Sequence, residues 1–291
     1  MKQEITEKIK ALSCFEDPQD IEALGGGLTN VNVLLRDGDR KFVVRLGEDI
    51  PEHGVMRWNE LAISQAASLL GISPKIVHNE PGVLVLEFVE GRTFNETDVR
   101  EPDALLRIIT LIKTTHQELG RHLEQPVLTF WPPHVNRSYL ARLQAEGSTH
   151  QKALPDLHRQ NTMLEQAIGP INLVIAHNDL LAANFIDDGN ALWLIDWEYG
   201  GFNSPLFDLA GLASNNGLSE QQERAMLEQY FETNSDPIWR SYMAMKCCSL
   251  LRETLWSMTS EIHSELDVDY AAYTSENNAK LALALADFKQ T

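Results

Sequence analysis

The stretch VIAHNDLLAANFIDDGNALWLIDWEYGG, residues 174–201, contains the residues that decide the fold of this 291-residue chain. Its apolar runs flank Asp-Asp-Gly-Asn, a turn sequence that predicts two short strands joined by a hairpin. Asp179 and Asn184 precede this hairpin with four residues between them, and Asp196 ends the second apolar run. A simple hairpin does not need these polar side chains, so the pattern indicates a functional site.

The three polar residues match the chemistry of phosphoryl transfer. In a kinase catalytic loop, an Asp accepts the proton of the attacking hydroxyl, and an Asn at this spacing reaches towards a metal ion. Asp179 is therefore a candidate catalytic base, and Asn184 and Asp196 are candidate Mg²⁺ ligands. Each residue alone also has a structural interpretation, since Asp196 could cap the next turn. His177 is expected to support the loop by hydrogen bonding, without a chemical step.

The composition restricts the partners of the chain. Asp and Glu number 42 against 24 Lys and Arg, which gives a formal net charge of -18. This charge disfavours nucleic acids and anionic membranes, and it favours a small cationic substrate, although it could simply maintain solubility. The three cysteines form neither an even disulfide framework nor a metal spacing, and we find no signal peptide or membrane-spanning run. We expect a reduced, cytoplasmic protein.

The first part of the chain has strand patterns. The apolar runs 31–35 and 41–46 are joined through an Asp-Gly pair, which is a strong hairpin signal. A helical pattern follows and ends at Gly71, and two further strands are predicted around the Pro-Gly pair at 81–82. Gly91 is a plausible joint between two lobes.

Helical patterns dominate after Gly91. Residues 103–119 have apolar positions at helical spacing, and long helical patterns run from about Glu220 to the end of the chain. Residues 130–140 contain two consecutive prolines and are predicted to form a loop. The sequence therefore predicts an α+β fold with a small β-rich lobe, residues 1–90, and a larger, mostly helical lobe, residues 91–291.

The motifs HNDLLAANF (177–185) and LIDWEYGGFNSPLFDLA (194–210) resemble those of the choline/ethanolamine kinase branch of the aminoglycoside phosphotransferase-like kinases. GGLTN (26–30) is similar to the nucleotide loop of that family. Arg45 stands where protein kinases have a Lys and choline kinases typically have an Arg, and Glu60 matches the helix acid that pairs with this cation. The resemblance extends from about residue 24 to residue 273. It implies a protein-kinase-like bilobal fold and ATP-dependent transfer to a small molecule.

The resemblance also implies the roles of the nucleotide-binding residues. Arg45, oriented by Glu60, would contact the α and β phosphates of ATP. The other cofactor-binding candidates would act through backbone groups. The backbone amides of Leu28, Thr29 and Asn30 would cover the phosphates. Residues 86–90 would form the hinge that binds adenine, with Glu87 and Val89 as the contact positions.

The acceptor pocket is implied by the C-terminal part of the resemblance. Trp256 and Tyr270 occupy positions where the family has aromatic walls of the choline pocket, since a quaternary ammonium is recognised by aromatic faces. Glu198 and Tyr199 lie where the family places acceptor contacts. Tyr273 is expected in the core.

One departure from the family pattern concerns the acceptor. Glu253 stands where another Trp is often found, and the chain has fewer aromatic residues around Trp256 than eukaryotic choline kinases. The sequence predicts an ATP- and Mg²⁺-dependent kinase of a small cationic alcohol, with choline as the first candidate. The alternatives are an ethanolamine, thiamine or aminoglycoside kinase, and a nucleotide-binding protein without catalysis.

Overall fold

The computed structural model describes residues 3–25, 30–233, 235–264 and 268–291. Its first part contains one five-stranded antiparallel sheet with strand order β1-β2-β3-β5-β4. The elements of this part are α1 (Gln3–Lys10), β1 (Gln19–Leu24), β2 (Val31–Asp37), β3 (Arg40–Leu46), α2 (Arg57–Leu70), β4 (Ile76–Glu80) and β5 (Val83–Glu87). The predicted strands, the hairpin between β2 and β3, and the helix that ends at Gly71 are all present.

The two faces of the sheet have different partners. Side chains alternate between the faces of a strand, so Val44 and Arg45 point in opposite directions. Val44 packs in a small apolar cluster that includes Ile9 and Leu12 from the N-terminal segment. Arg45 is buried on the other face, where it meets Glu60 of α2 and Asp196 from the second part of the chain.

The second part is mostly helical and contains the short strands predicted from the sequence. Its elements are β6 (Arg92–Thr93), α3 (Glu96–Arg100), α4 (Pro102–Glu118), α5 (Pro132–Ala145), α6 (Leu154–Ile168), β7 (Val174–Ala176), β8 (Phe185–Asp187), β9 (Leu192–Leu194), β10 (Gly201–Asn203), α7 (Pro205–Asn216), α8 (Glu220–Phe231), α9 (Asp236–His263) and α10 (Tyr270–Phe288). β6, β8 and β9 form one small sheet, and β7 pairs with β10. The predicted α+β, protein-kinase-like fold class is confirmed.

The chain passes from the first part to the second at Gly91. A Cβ atom at this position would lie 2.7 Å from the backbone oxygen of Asp187, which is too close for a side chain. The proposed boundary after residue 90 therefore coincides with a close backbone crossing over β8. α2 nevertheless belongs to the large core, because Ile63 and Ala66 share one apolar cluster with residues of α4 to α10. That the two lobes are separate units stays a prediction.

The prediction of a loop at residues 130–140 was wrong, because α5 begins at Pro132. Pro132 and Pro133 occupy the first two positions of the helix. The backbone N–H groups of a first helical turn have no partner within the helix, so proline loses nothing there, and its fixed φ suits a helix start. α6 and α7 were also absent from the sequence-based description.

Candidate active site

The catalytic segment lies between β7 and β8 and is held by one buried aspartate. Asp208, on α7, accepts hydrogen bonds from the backbone N–H groups of His177 at 2.8 Å and Asn178 at 2.7 Å. His116 Nε2 contacts the same carboxylate at 2.9 Å. These hydrogen bonds lower the pKa of Asp208 despite its burial. The carboxylate thus fixes the backbone from which Asp179 extends.

His177 supports the segment as expected from the sequence. Its Nδ1 accepts the backbone N–H of Asp179 at 3.3 Å, so the neutral ring carries its proton on Nε2 and donates to the Ile195 oxygen at 2.9 Å. Burial lowers the pKa of His177, and its ring packs on Trp197 with centroids 4.6 Å apart. The imidazole joins the two sides of the site and remains neutral.

The carboxylate of Asp179 makes no hydrogen bond within the part of the chain that the structure describes, and it is partly exposed. Asn184 donates its side-chain N–H to the Asp179 backbone oxygen at 2.9 Å, which leaves the amide oxygen of Asn184 for another ligand. Burial raises the pKa of Asp179 to about 8 against the opposing charge of Arg252. The carboxylate is therefore available for an acceptor hydroxyl, in surroundings that strengthen it as a base.

Charged side chains from both lobes meet beside the catalytic segment and form the ionic cluster. Arg45 Nη2 lies 2.6 Å from Asp196 Oδ1 and 3.2 Å from Glu60 Oε1, so the predicted pair of Arg45 with Glu60 is present. Arg57 Nη1 lies 2.7 Å from Glu60 and 3.4 Å from Glu198. These five residues combine two guanidinium groups with three carboxylates.

The electrostatics of the ionic cluster favour a fixed positive charge next to Asp196. Burial alone would lower the pKa of Arg45, but the carboxylates of Asp196, Glu60 and Glu198 outweigh it and raise this pKa. Arg45 Nε is buried and has no hydrogen-bond partner among the described residues. A buried donor without a partner is costly, so the guanidinium is suited to donate to an anionic oxygen such as that of a nucleotide phosphate.

Asp196 and Asn184 have the donor chemistry of a Mg²⁺ site. Asp196 adopts a left-handed backbone conformation with φ 70°, which is uncommon outside glycine and asparagine, and 26% of its side chain is exposed. No group of three or more His, Cys, Asp or Glu side chains forms a metal site among the described residues. Mg²⁺ often binds one or two protein carboxylates together with substrate phosphates, so this donor set fits it.

The structure describes only some of the other nucleotide-binding candidates. Leu28 and Thr29 lie outside the described residues. Asn30 donates its side-chain N–H to Glu198 Oε2 at 2.9 Å. The last residue of the predicted nucleotide loop therefore contacts a predicted acceptor residue. The backbone N–H of Glu87 is used by the Lys75 oxygen at 2.9 Å. Val89 makes no backbone hydrogen bond to another described residue, so its groups are free to meet a base.

The predicted acceptor residues form an aromatic cluster that continues from the ionic cluster through Glu198 and Tyr199. The Trp256 indole N–H donates to the Tyr199 hydroxyl at 3.2 Å. The ring of Trp256 also contacts three rings at centroid distances between 5.1 and 6.2 Å. The aromatic cluster thus consists of His53, Tyr199, Trp256, Tyr270 and Tyr273.

His53 was not predicted from the sequence as a site residue. It lies between β3 and α2 and reaches the far lobe, where its Nδ1 is 3.3 Å from the Tyr139 hydroxyl and its Nε2 is 3.4 Å from Ser260 Oγ. Burial lowers the pKa of His53 to about 4. Tyr199 and His53 also line a cavity of about 180 Å³ that reaches Glu198.

An ion pair lies next to the aromatic cluster. Arg252 Nη1 is 3.0 Å from Glu253 Oε2, and the Arg252 guanidinium lies 5.6 Å from the centroid of the Tyr199 ring. Tyr273, which packs against the core, donates its hydroxyl to Glu253 Oε1 at 2.7 Å. From the sequence, Glu253 was identified only as a position where related kinases often have a tryptophan.

Sequence reasoning also missed the roles of Asp208, Arg57 and Arg252. Asp208 follows two apolar residues at the start of a helix, a pattern that does not reveal that its carboxylate turns inward. Arg57 sits three residues before Glu60, a spacing that permits an ion pair on a helix and was a usable signal. Arg252 had no sequence signal, because its partner Tyr199 lies 53 residues earlier in the chain.

The fold and the site together define a phosphotransferase that acts on an alcohol group. The family model described as Choline/ethanolamine kinase matches residues 21–226, and the chain belongs to this family. It is an amino-alcohol kinase. Among the described residues, no helix is both long and apolar enough to cross a membrane.

Three relatives illustrate the similarity. Protein LicA of Haemophilus influenzae is 25% identical over 84% of this chain and 75% of its own. A probable ethanolamine kinase of Arabidopsis thaliana is 25% identical over 87% of this chain and 76% of its own. The crystal structure of a choline/ethanolamine kinase family protein from Mesorhizobium loti superposes with a TM-score of 0.79, with 25% identity over 97% of this chain and 94% of that one.

Proposed function

We propose that this protein transfers the γ-phosphoryl group of ATP to the hydroxyl of a small amino alcohol, with Asp179 as the base. The observation that carries the proposal is the position of the Asp179 carboxylate, which is held by the Asp208-anchored segment and makes no hydrogen bond to another described residue. A base needs to reach the hydroxyl proton and to have a pKa near the working pH. Burial supplies the second condition for Asp179.

The nucleotide would bind on the other side of the same residues. Arg45 would contact the phosphates through the guanidinium that Glu60 now holds, and the backbone of Val89 would meet the adenine. Asp196 and the amide oxygen of Asn184 would hold Mg²⁺, which neutralises phosphate charge when it is bound. The excess of one carboxylate in the ionic cluster supports a bound cation.

The acceptor is proposed from the charge and chemistry of the pocket. Glu198 and Glu253 supply carboxylates, which suit an ammonium group, beside the largely buried rings of Tyr199 and Trp256. Choline and ethanolamine both have the support of named relatives, a probable choline kinase and a probable ethanolamine kinase of Arabidopsis thaliana. Thiamine and aminoglycosides stay the alternatives from the sequence.

A consumption assay with ATP and a series of amino alcohols tests the proposal. We expect Mg²⁺-dependent formation of ADP and of a phosphorylated alcohol, detected by mass spectrometry. Turnover of an aminoglycoside but of no small amino alcohol would contradict the acceptor assignment. ADP formation that no alcohol stimulates would contradict the transfer reaction.

The metal assignment has its own measurement. Asp196→Ala removes the carboxylate that would ligate Mg²⁺, so we expect the affinity for Mg-ATP to fall while acceptor binding is preserved. Calorimetry with and without Mg²⁺ measures both. Asp156→Ala, at an exposed position of α6, is the control. Unchanged Mg-ATP affinity in Asp196→Ala would place the metal elsewhere.

A further inference from the structure

Arg252 places a permanent positive charge at the aromatic cluster. Its side chain is 5% exposed, and its guanidinium lies 5.6 Å from the Tyr199 ring centroid. Trp256 follows one helical turn later and donates its indole N–H to the hydroxyl of the same tyrosine. An ammonium group seated against Tyr199 or Trp256 would therefore lie close to a guanidinium that is already present.

The aromatic surface that a quaternary ammonium needs is largely covered. A quaternary ammonium has no N–H donor and depends on open aromatic faces. Trp256 and Tyr199 are each 6% exposed. His53 packs on Trp256 at 5.1 Å, and Tyr270 and Tyr273 approach the same ring at 6.0 and 6.2 Å. The rings contact one another more than they contact the cleft.

Glu253 offers a different kind of recognition. Its carboxylate accepts one hydrogen bond from the Tyr273 hydroxyl and forms one ion pair with Arg252. An ionised carboxylate has about four lone-pair positions, so roughly two remain. Its side chain is 21% exposed. A primary ammonium has three N–H donors for these positions, whereas a quaternary ammonium has none.

Arg252 acts on this difference through Glu253. Its guanidinium lies 3.0 Å from the Glu253 carboxylate and fixes its position beside the aromatic cluster. Repulsion from the Arg252 charge would be the same for a primary and a quaternary ammonium, whereas charge-assisted hydrogen bonds to Glu253 are open only to the primary one. Arg252 is therefore a positioning residue for the carboxylate that selects the acceptor.

We propose that Arg252 and Glu253 make this enzyme select amino alcohols with a primary amine and discriminate against quaternary ones. The proposal rests on the proposed amino-alcohol kinase function. Neither residue is proposed to touch the transferred phosphoryl group. Glu253 determines specificity by accepting hydrogen bonds from the ammonium group, and Arg252 positions the Glu253 carboxylate.

The test is a methylation series of acceptors: ethanolamine, its N-methyl and N,N-dimethyl derivatives, and choline. Steady-state kcat/KM is measured for the unmodified enzyme and for Arg252→Met, which keeps the length of the side chain and removes its charge. We expect kcat/KM of the unmodified enzyme to fall along the series by at least about tenfold, because the hydrogen bonds to Glu253 are lost. Arg252→Met removes the group that positions Glu253 and should reduce that ratio by up to about tenfold. Arg252→Lys keeps the charge and should keep the ratio.

Two further variants distinguish selection from general damage. Glu253→Gln should lower kcat/KM for ethanolamine more than for choline, because only ethanolamine donates to this carboxylate. Arg137→Met removes a comparable cation on α5 that pairs with Glu165, and it should leave the ratio unchanged. If Arg252→Met does not fold, as judged by circular dichroism, the Glu253→Gln ratio decides.

The outcomes separate this proposal from the function on which it rests. If the unmodified enzyme phosphorylates none of the four acceptors, the amino-alcohol kinase function fails and the selection fails with it. If it phosphorylates choline as efficiently as ethanolamine, the function stands and the selection is overturned. A folded Arg252→Met enzyme with an unchanged ratio also overturns it.

Discussion

The ionic cluster and the aromatic cluster meet at two consecutive residues, Glu198 and Tyr199, but they are built by different means. The ionic cluster joins charges from β3, α2 and the segment after β9 at distances of 2.6 to 3.8 Å. The aromatic cluster joins rings at centroid distances of 5 Å or more, with weak directional contacts. The ionic cluster depends on the exact placement of a few charged atoms. The aromatic cluster depends on the packing of large side chains.

In the proposed function, the ionic cluster serves phosphoryl transfer and the aromatic cluster serves recognition of the acceptor. Charged groups in a poorly solvated site interact strongly, so the residue types that can serve there are few. Aromatic packing tolerates more exchange, because burial is not directional. The ionic cluster therefore keeps recognisable motifs, whereas the proposed acceptor side contains an Arg and a Glu that the family pattern does not predict.

The largest effect is expected at the base, on the ionic side of the comparison. Asp179→Asn keeps the shape of the side chain and removes its ability to accept a proton. We expect kcat to fall by about 100-fold or more while ATP binding is preserved. Single-turnover kinetics and calorimetry measure the two quantities, with Asp156→Asn as the control. A kcat within a few-fold of the unmodified enzyme would remove Asp179 from the mechanism.

The next effect concerns the anchor of the catalytic segment. Asp208→Asn leaves one carbonyl oxygen for two backbone N–H groups and weakens the contact with His116. Because buried donors without partners are costly, we expect the free energy of unfolding to fall by about 3 kcal/mol. Urea denaturation measures it, and Asp287→Asn at an exposed position is the control. An unchanged midpoint would show that the segment does not depend on Asp208.

The pH dependence of stability tests the buried part of the aromatic cluster. The pKa of His53 is lowered by burial to about 4, against about 6.5 in an unfolded chain. The unfolded state therefore binds the proton first, and stability that is present above pH 6.5 is lost as the pH falls towards 4. We expect His53 to contribute about 3 kcal/mol to this loss.

The comparison with His53→Gln isolates that contribution. Glutamine keeps a hydrogen-bonding side chain and does not titrate, so the variant should lose less stability between pH 6.5 and pH 4. Thermal unfolding at a series of pH values measures the difference. Parallel stability curves for the two proteins would show that His53 is not buried as a neutral ring.

The smallest effect is expected on acceptor kinetics at Trp256. If the primary ammonium is bound mainly by Glu253, the ring adds a weak cation–π contact, and Trp256→Leu should raise the acceptor KM only about two- to fivefold. Trp256→Ala should instead lower stability by about 3–5 kcal/mol, because it leaves a cavity. A rise in KM for choline approaching 30-fold in Trp256→Leu would indicate a desolvated aromatic cage and would favour choline.

Much of the phosphate side could be predicted from sequence because its residues lie in short motifs. The spacing of Asp179, Asn184 and Asp196 is fixed by a loop and a hairpin, so neighbouring positions in the chain imply neighbouring positions in space. The roles of Arg45 and Glu60 were implied by the resemblance, since each residue matches a position in the motifs of choline/ethanolamine kinases. The one wrong element, the loop at residues 130–140, came from treating proline as a breaker where it starts a helix.

The sequence by itself determined the α+β fold, the order of the elements from β2 to β5 in the first part, and the types of residue that carry the chemistry. Only the tertiary structure showed that Asp208 anchors the catalytic segment, that His53 crosses to Trp256, and that Arg252 lies on Tyr199. The physical reason is the range of the interactions involved. Turns, strands and helix starts are set by local backbone preferences, whereas these contacts join residues between 30 and more than 200 positions apart and exist only after the whole core has packed.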